Sequence, residues 1–175
     1  MIGKAWLGKV RLGSGALAAG LLAAGLLGVG AAGAQSIVLT GLGGEKAQLG
    51  AADIAALPHQ PVTLQLEGKT EACEGVPLSQ ILAKVGAPQG KALRGPELAD
   101  VVVVGAADGY RVALALAETD PVMRGDKVFL ADRCGGAAMA PPEGPFRLVV
   151  LGDGRPARSA RQVTSITLLR LPPTP

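Results

Sequence analysis

Between Leu12 and Ala34 the chain carries no charged residue, and that run divides what the sequence can fold into. Lys4, Lys9 and Arg11 precede it, and Ala32-Gly33-Ala34 closes it. A positive start, an apolar stretch and a small-x-small ending are the three parts of a secretory signal peptide. Cleavage before Gln35 is therefore expected, with a folded domain over residues 35–171, a disordered tail over 172–175, and a periplasmic or secreted location. The run is also long enough to span a bilayer. Its many glycines weaken a helix, so membrane contact is expected only if the signal stays uncleaved. Lys9-Val10-Arg11 is not a twin-arginine pair, so the expected export route carries an unfolded chain.

The charge balance follows from that division. Removing Lys4, Lys9 and Arg11 from the 17 Lys and Arg leaves 14, matched by 14 Asp and Glu. The basic character of the whole chain thus belongs to the leader, and no nucleic-acid partner is expected. Past the leader the only aromatics are Tyr110, Phe129 and Phe146. The core must then be built from Val, Leu, Ile and Ala, and stacking on bases or sugars is close to excluded.

The apolar pattern reads as many short strands with two clear short helices, an α+β domain. Strands are expected at Ser36–Thr40, Val62–Leu66, Thr70–Glu74, Val101–Val104, Tyr110–Leu116, Lys127–Ala131, Phe146–Leu151 and Val163–Leu171. The continuous run Val101–Val104 predicts burial on both faces. Helices are expected over Gly50–Leu57 and from Pro77 to Val85, where Leu78, Ile81, Leu82 and Val85 share one face and Gly86 stops the turn. Residues 87–96 and 135–145 read as loops.

Chemistry-bearing residues are few. His59, the one histidine, lies between Pro58 and Pro61 and reads as an exposed loop residue; no Gly-x-Ser-x-Gly elbow accompanies it. One histidine and no Cys-x-x-Cys argue against a zinc site. Asp108-Gly109 reads first as a hairpin turn, with Asp108 as an acid or base only second. Cys73 and Cys134 either form a disulfide, in an oxidising compartment, or stay as two separate thiols. The densest signal is Arg147, Arg155, Arg158, Arg161 and Arg170, grouped around Gly152-Asp153-Gly154. Guanidinium forks beside a glycine turn can hold a phosphate or another oxyanion; the plainer reading is a solvated basic rim.

The order of short motifs adds to this. Glu74-Gly75-Val76-Pro77-Leu78 opens a helix. Ala107-Asp108-Gly109-Tyr110, Gly144-Pro145-Phe146-Arg147-Leu148-Val149-Val150 and Arg158-Ser159-Ala160-Arg161-Gln162-Val163-Thr164-Ser165-Ile166 follow. The series resembles the molybdopterin-binding oxidoreductase domain of the sulfite oxidase family, over nearly all of the chain past the leader. The resemblance implies a mixed, β-rich α+β fold whose catalytic members hold molybdenum through a cysteine thiolate. It implies ligand contacts at Arg147, Arg158 and Arg161, with Gly152, Arg155, Asp108 and Tyr110 at the same turns.

Two features depart from the family pattern. The family's metal cysteine lies well upstream of the Gly-Val-Pro-Leu helix, whereas Cys73 lies beside Gly75 and Cys134 far downstream. The family inserts its cofactor before export, which the leader here does not suit. The expectation is an exported relative without molybdenum that binds a small anionic ligand or a periplasmic partner protein. The alternative is an active molybdopterin-dependent oxidoreductase with Cys73 or Cys134 on the metal.

Overall fold

The computed structural model describes residues 35–172. The leader expectation at 1–34 and most of the expected tail lie outside them. Among the described residues, ten strands form two five-stranded sheets.

The first sheet runs β2 (Lys46–Leu49), β1 (Ile37–Thr40), β10 (Val163–Leu169), β5 (Val101–Ala106), β6 (Arg111–Ala115). β1 and β10, from opposite ends of the domain, pair in parallel at its centre, and the other pairings are antiparallel. The second sheet runs β3 (Gln60–Leu66), β4 (Lys69–Pro77), β7 (Val128–Cys134), with β8 (Ala137–Ala138) and β9 (Arg147–Val150) both paired to β7.

The main core joins the inner faces of both sheets. It takes Ile37 and Leu39 from β1, Val102 and Val104 from β5, Leu130 from β7 and Leu148 from β9. Helices α1 (Ala51–Ala55) and α2 (Leu78–Leu82) add Ile54, Leu78, Ile81 and Leu82. A second, smaller core covers the other face of the second sheet: Val62, Leu64, Cys73, Phe129, Ala131 and Val149. Strands β7 and β9 are therefore buried on both faces. Alternation sends Val128 and Leu130 one way and Phe129 and Ala131 the other.

One irregularity sets the phase of this sheet. Pairing of β4 with β7 passes from Glu74↔Arg133 to Gly75↔Ala131, so Asp132 has no partner. The extra residue is a β-bulge, and it shifts the side-chain alternation by one. It turns Cys134 to the same face as Cys73, where the two stand opposite each other at a Cα separation of 4.0 Å and are disulfide-bonded. Gly75 lies at the same point. A Cβ there would come within 2.9 Å of the Leu130 carbonyl oxygen and 3.1 Å of the Ala131 Cα, closer than a side chain tolerates. The bulge also frees the Asp132 carboxylate to meet His59, whose Nε2 is 3.0 Å from Oδ1 while Nδ1 is 2.8 Å from the Leu57 carbonyl oxygen. His59 is thus a half-buried latch between the approach to β3 and β7, not the exposed loop residue expected.

Several elements differ from the sequence reading. β4 runs on through Pro77, which caps α2 instead of opening it, and α2 ends in a 3₁₀ turn (Ala83–Val85) before Gly86 at φ +69°. β5 is fully buried on one face only: Val102 and Val104 are inside and Val101 and Val103 half-buried, because among the described residues no layer closes over the outer side. β2 and β8 were not legible; neither has β-branched residues, and both exist through pairing. Helix α3 (Pro121–Arg124) was missed as well. Asp120 caps it, accepting from the backbone N–H of Val122 at 2.8 Å and Met123 at 3.2 Å, with Pro121 at its first position.

The disulfide closes a loop between residues 61 apart in sequence. Chain entropy alone assigns such a closure about 4 kcal/mol. A Cys73→Ala/Cys134→Ala protein is expected to lose about 2–4 kcal/mol in urea unfolding, with the wild type in dithiothreitol losing a like amount. An unchanged midpoint in both would contradict the bridge as a stabilising element.

Candidate anion-binding groove

Alternation along Phe146-Arg147-Leu148-Val149-Val150 builds the site. Phe146, Leu148 and Val150 enter the main core, so Arg147 shares the opposite face with Val149 and the second core. Arg147 stands opposite Ala131 and is only 6% exposed. Its Nε is buried with no hydrogen-bond partner. Burial lowers the affinity of its guanidinium for the proton; the nearby Arg161 lowers it further, and Glu71 opposes both.

Arg161 arrives from the segment before β10. The backbone N–H of Leu148 donates to the Ala160 carbonyl at 2.8 Å, and that of Val163 to the Phe146 carbonyl at 2.9 Å. Between these two ties Gln162 adopts φ +49°, a left-handed backbone that a residue with a Cβ rarely takes. The surroundings hold it there. Its N–H donates to the Glu143 carbonyl at 3.4 Å, and its carbonyl accepts from Ala107 at 3.0 Å.

The Asp108-Gly109 turn joins β5 to β6 beside this point. Asp108 Oδ1 accepts from the Tyr110 N–H at 2.9 Å, and Gly109 takes φ +85°. Tyr110, 48% exposed, reaches across and donates its hydroxyl to the Ala157 carbonyl at 2.9 Å.

Two cavities meet at Arg147. One, of about 200 Å³, has Asp108, Tyr110, Ser159 and Arg161 among its walls. The other, of about 290 Å³, is walled by Leu66, Lys69, Glu71, Met139 and Glu143 among others. Arg147 lines both. Glu143 joins the two arginines: Arg147 Nη1 donates to its Oε2, and Arg161 Nη1 to its Oε1 at 3.2 Å. The structure thus shows two guanidinium groups converging on the two oxygens of one carboxylate.

The structure brings Arg147, Arg161, Asp108 and Tyr110 together and leaves the other named residues apart. Gly152, at φ +89°, forms the turn after β9. Arg155 is exposed and lines a separate open depression of about 550 Å³ with Gln65, Gly68 and Asp153. Arg158 is engaged elsewhere. Its Nε and Nη2 donate to Asp153 at 2.9 and 2.6 Å, and Nη1 donates to Glu118 at 3.2 Å. This fork holds the Asp153 carboxyl below its usual range and raises the Arg158 guanidinium. Arg158 is therefore a clamp on the 152–158 turn. Arg170 is a second clamp, donating from Nε and Nη2 at 3.0 Å to Asp100, which is 1% exposed.

Glu143, Ser159, Leu66 and Met139 were not among the candidate site residues read from the sequence. Glu143 lies in a Gly/Pro loop with nothing local to mark it; its one signal is the spacing of four to Arg147. Ser159 is buried and its Oγ accepts from the Val150 N–H at 3.2 Å, closing the free end of β9.

The cysteines do not fit a thiolate-held molybdenum. Both are in the disulfide, and an oxidised pair offers no thiolate. Among the described residues no group of three or more His, Cys, Asp and Glu is arranged to hold a metal ion.

No protein-family model matches the chain, and no curated protein matches it. Among solved structures it is similar to the sulfane dehydrogenase SoxCD from Paracoccus pantotrophus. The TM-score is 0.60 at 23% identity, over 78% of this chain and 38% of that one. The chain therefore spans well under half the length of that neighbour. The likeness carries the fold alone: a mixed, sheet-rich α+β domain.

Proposed function

We propose that this chain is an exported domain of sulfite-oxidase type that works without a molybdenum-ligating cysteine and binds a small anion in the groove at Arg147 and Arg161. The observation that carries the reading is the convergence of these two side chains, from two segments tied by backbone hydrogen bonds, on a single carboxylate, with Arg147 lining two cavities. Glu143 supplies the counter-charge that the buried Arg147 guanidinium needs, while its Nε stays without a partner, a donor that a bound anion could satisfy. Arg also presents paired donors in a fixed plane, which suits an acid group with two oxygens. Tyr110 and Asp108 border the groove and shape its mouth. Location in the periplasm or outside the cell rests on the leader sequence at 1–34 and agrees with a disulfide, which persists in oxidising compartments.

The same disulfide weighs against redox catalysis through Cys73 or Cys134. Protein purified from its native host is expected to hold far less than one molybdenum per chain by mass spectrometry. Stoichiometric molybdenum would contradict this reading and restore the oxidoreductase.

Binding is tested by calorimetric titration of the full exported protein with acetate and with sulfate. Arg161→Ala is expected to weaken binding at least tenfold, about 1.4 kcal/mol, and Lys84→Ala, on an exposed turn, to leave it unchanged. Affinity should also fall with added sodium chloride. Equal affinity in the wild type and Arg161→Ala would contradict the groove.

A further inference from the structure

The acid group already seated between the arginines belongs to the chain itself. Glu143 sits on the loop from Met139 to Pro145; its side chain is 41% exposed and both its carboxylate oxygens are held by the arginines. The loop has ties of its own besides that carboxylate. Its turn is held by backbone bonds, Glu143 N–H to the Ala140 carbonyl at 3.1 Å and Gly144 N–H to the same oxygen at 3.0 Å. The Met139 N–H adds a bond to the Asp132 carbonyl at 2.8 Å. The side chain can therefore swing out to water while the backbone stays.

Glu143 and Arg147 also line the 290 Å³ cavity, whose wall carries the apolar side chains of Leu66, Cys134, Ala138, Met139 and Ala140 together with the charged Lys69 and Glu71. A lone inorganic anion would leave the apolar part of that wall in contact with water.

We infer that Glu143 is a built-in stand-in for the ligand, and that the ligand is a small carboxylate on a short apolar body. This rests on the anion-binding reading and names the ligand class for the same groove. The incoming acid group takes both guanidinium groups, Glu143 is released, and the apolar body lies along Leu66 and Met139. Such a tethered competitor lowers apparent affinity by the fraction of time it occupies the site. Removing it should then tighten binding, the reverse of what loss of a contact residue does.

The test titrates butyrate, acetate and sulfate into the wild type, Glu143→Ala and Glu143→Gln, with Arg161→Ala alongside. Glu143→Ala is expected to bind butyrate at least tenfold tighter than the wild type, and to prefer butyrate over acetate and sulfate. Its Tm should fall without ligand, since Arg147 loses its partner, and butyrate should restore it. If that protein fails to fold, Glu143→Gln, which keeps the shape and removes the charge, carries the same comparison. Affinity for butyrate equal to or weaker than wild type overturns the stand-in, as does a preference for sulfate. In either case the groove survives if Arg161→Ala still weakens the wild type. Loss of the Arg161 effect as well overturns the groove itself.

Discussion

The pairing of β4 with β7 is the constraint from which the rest follows. β7 must bury both faces, one in the main core and one in the smaller core with Val62, Leu64 and Val149. In a strand with a strict period of two, one extra residue reverses every side chain beyond it. The bulge at Asp132 is that residue. It lets Phe129 and Cys134 face the same way, sets Cys134 against Cys73, and turns Asp132 toward His59. Gly75 is the matching requirement on β4, because the strands approach too closely for a Cβ.

The electrostatics of the groove follow from the same two-sided burial. β9 continues the sheet beyond β7, so alternate positions along it also enter one core or the other. At most of them an apolar residue answers the need. At Arg147 a charge does, and burial there calls for a counter-charge. Glu143 supplies it, and Arg161 shares that carboxylate. The arginines outside the groove serve the fold instead: Arg158 fixes the turn after β9 through Asp153 and Glu118, and Arg170 fixes the buried Asp100. Position along the chain does not separate these roles; the partner of each guanidinium does.

Much of the fold was legible because it rests on periodicity. The alternation of Val62, Leu64 and Leu66, the face made by Leu78, Ile81 and Leu82, and the Asp108-Gly109 turn each carry a local rule, and each stands in the structure. β2 and β8 carry no such rule and arise from pairing across the sheet. Of the site, Arg147, Arg161, Asp108 and Tyr110 could be picked out by residue type and motif order. Glu143 could not, since its meaning lies in the distance to two residues on other elements. The difference between Arg158 as a clamp and Arg161 as a groove residue likewise needs three dimensions.

The central claim is that an anion is held by Arg147 and Arg161 and by neither clamp. The most direct measurement is the arginine Nε–Hε region of the NMR spectrum, followed as acetate is added to the full-length protein. The account predicts that the Arg147 and Arg161 signals move together with one dissociation constant while those of Arg158 and Arg170 stay in place. Movement confined to Arg155, or equal small shifts in every arginine, would contradict it.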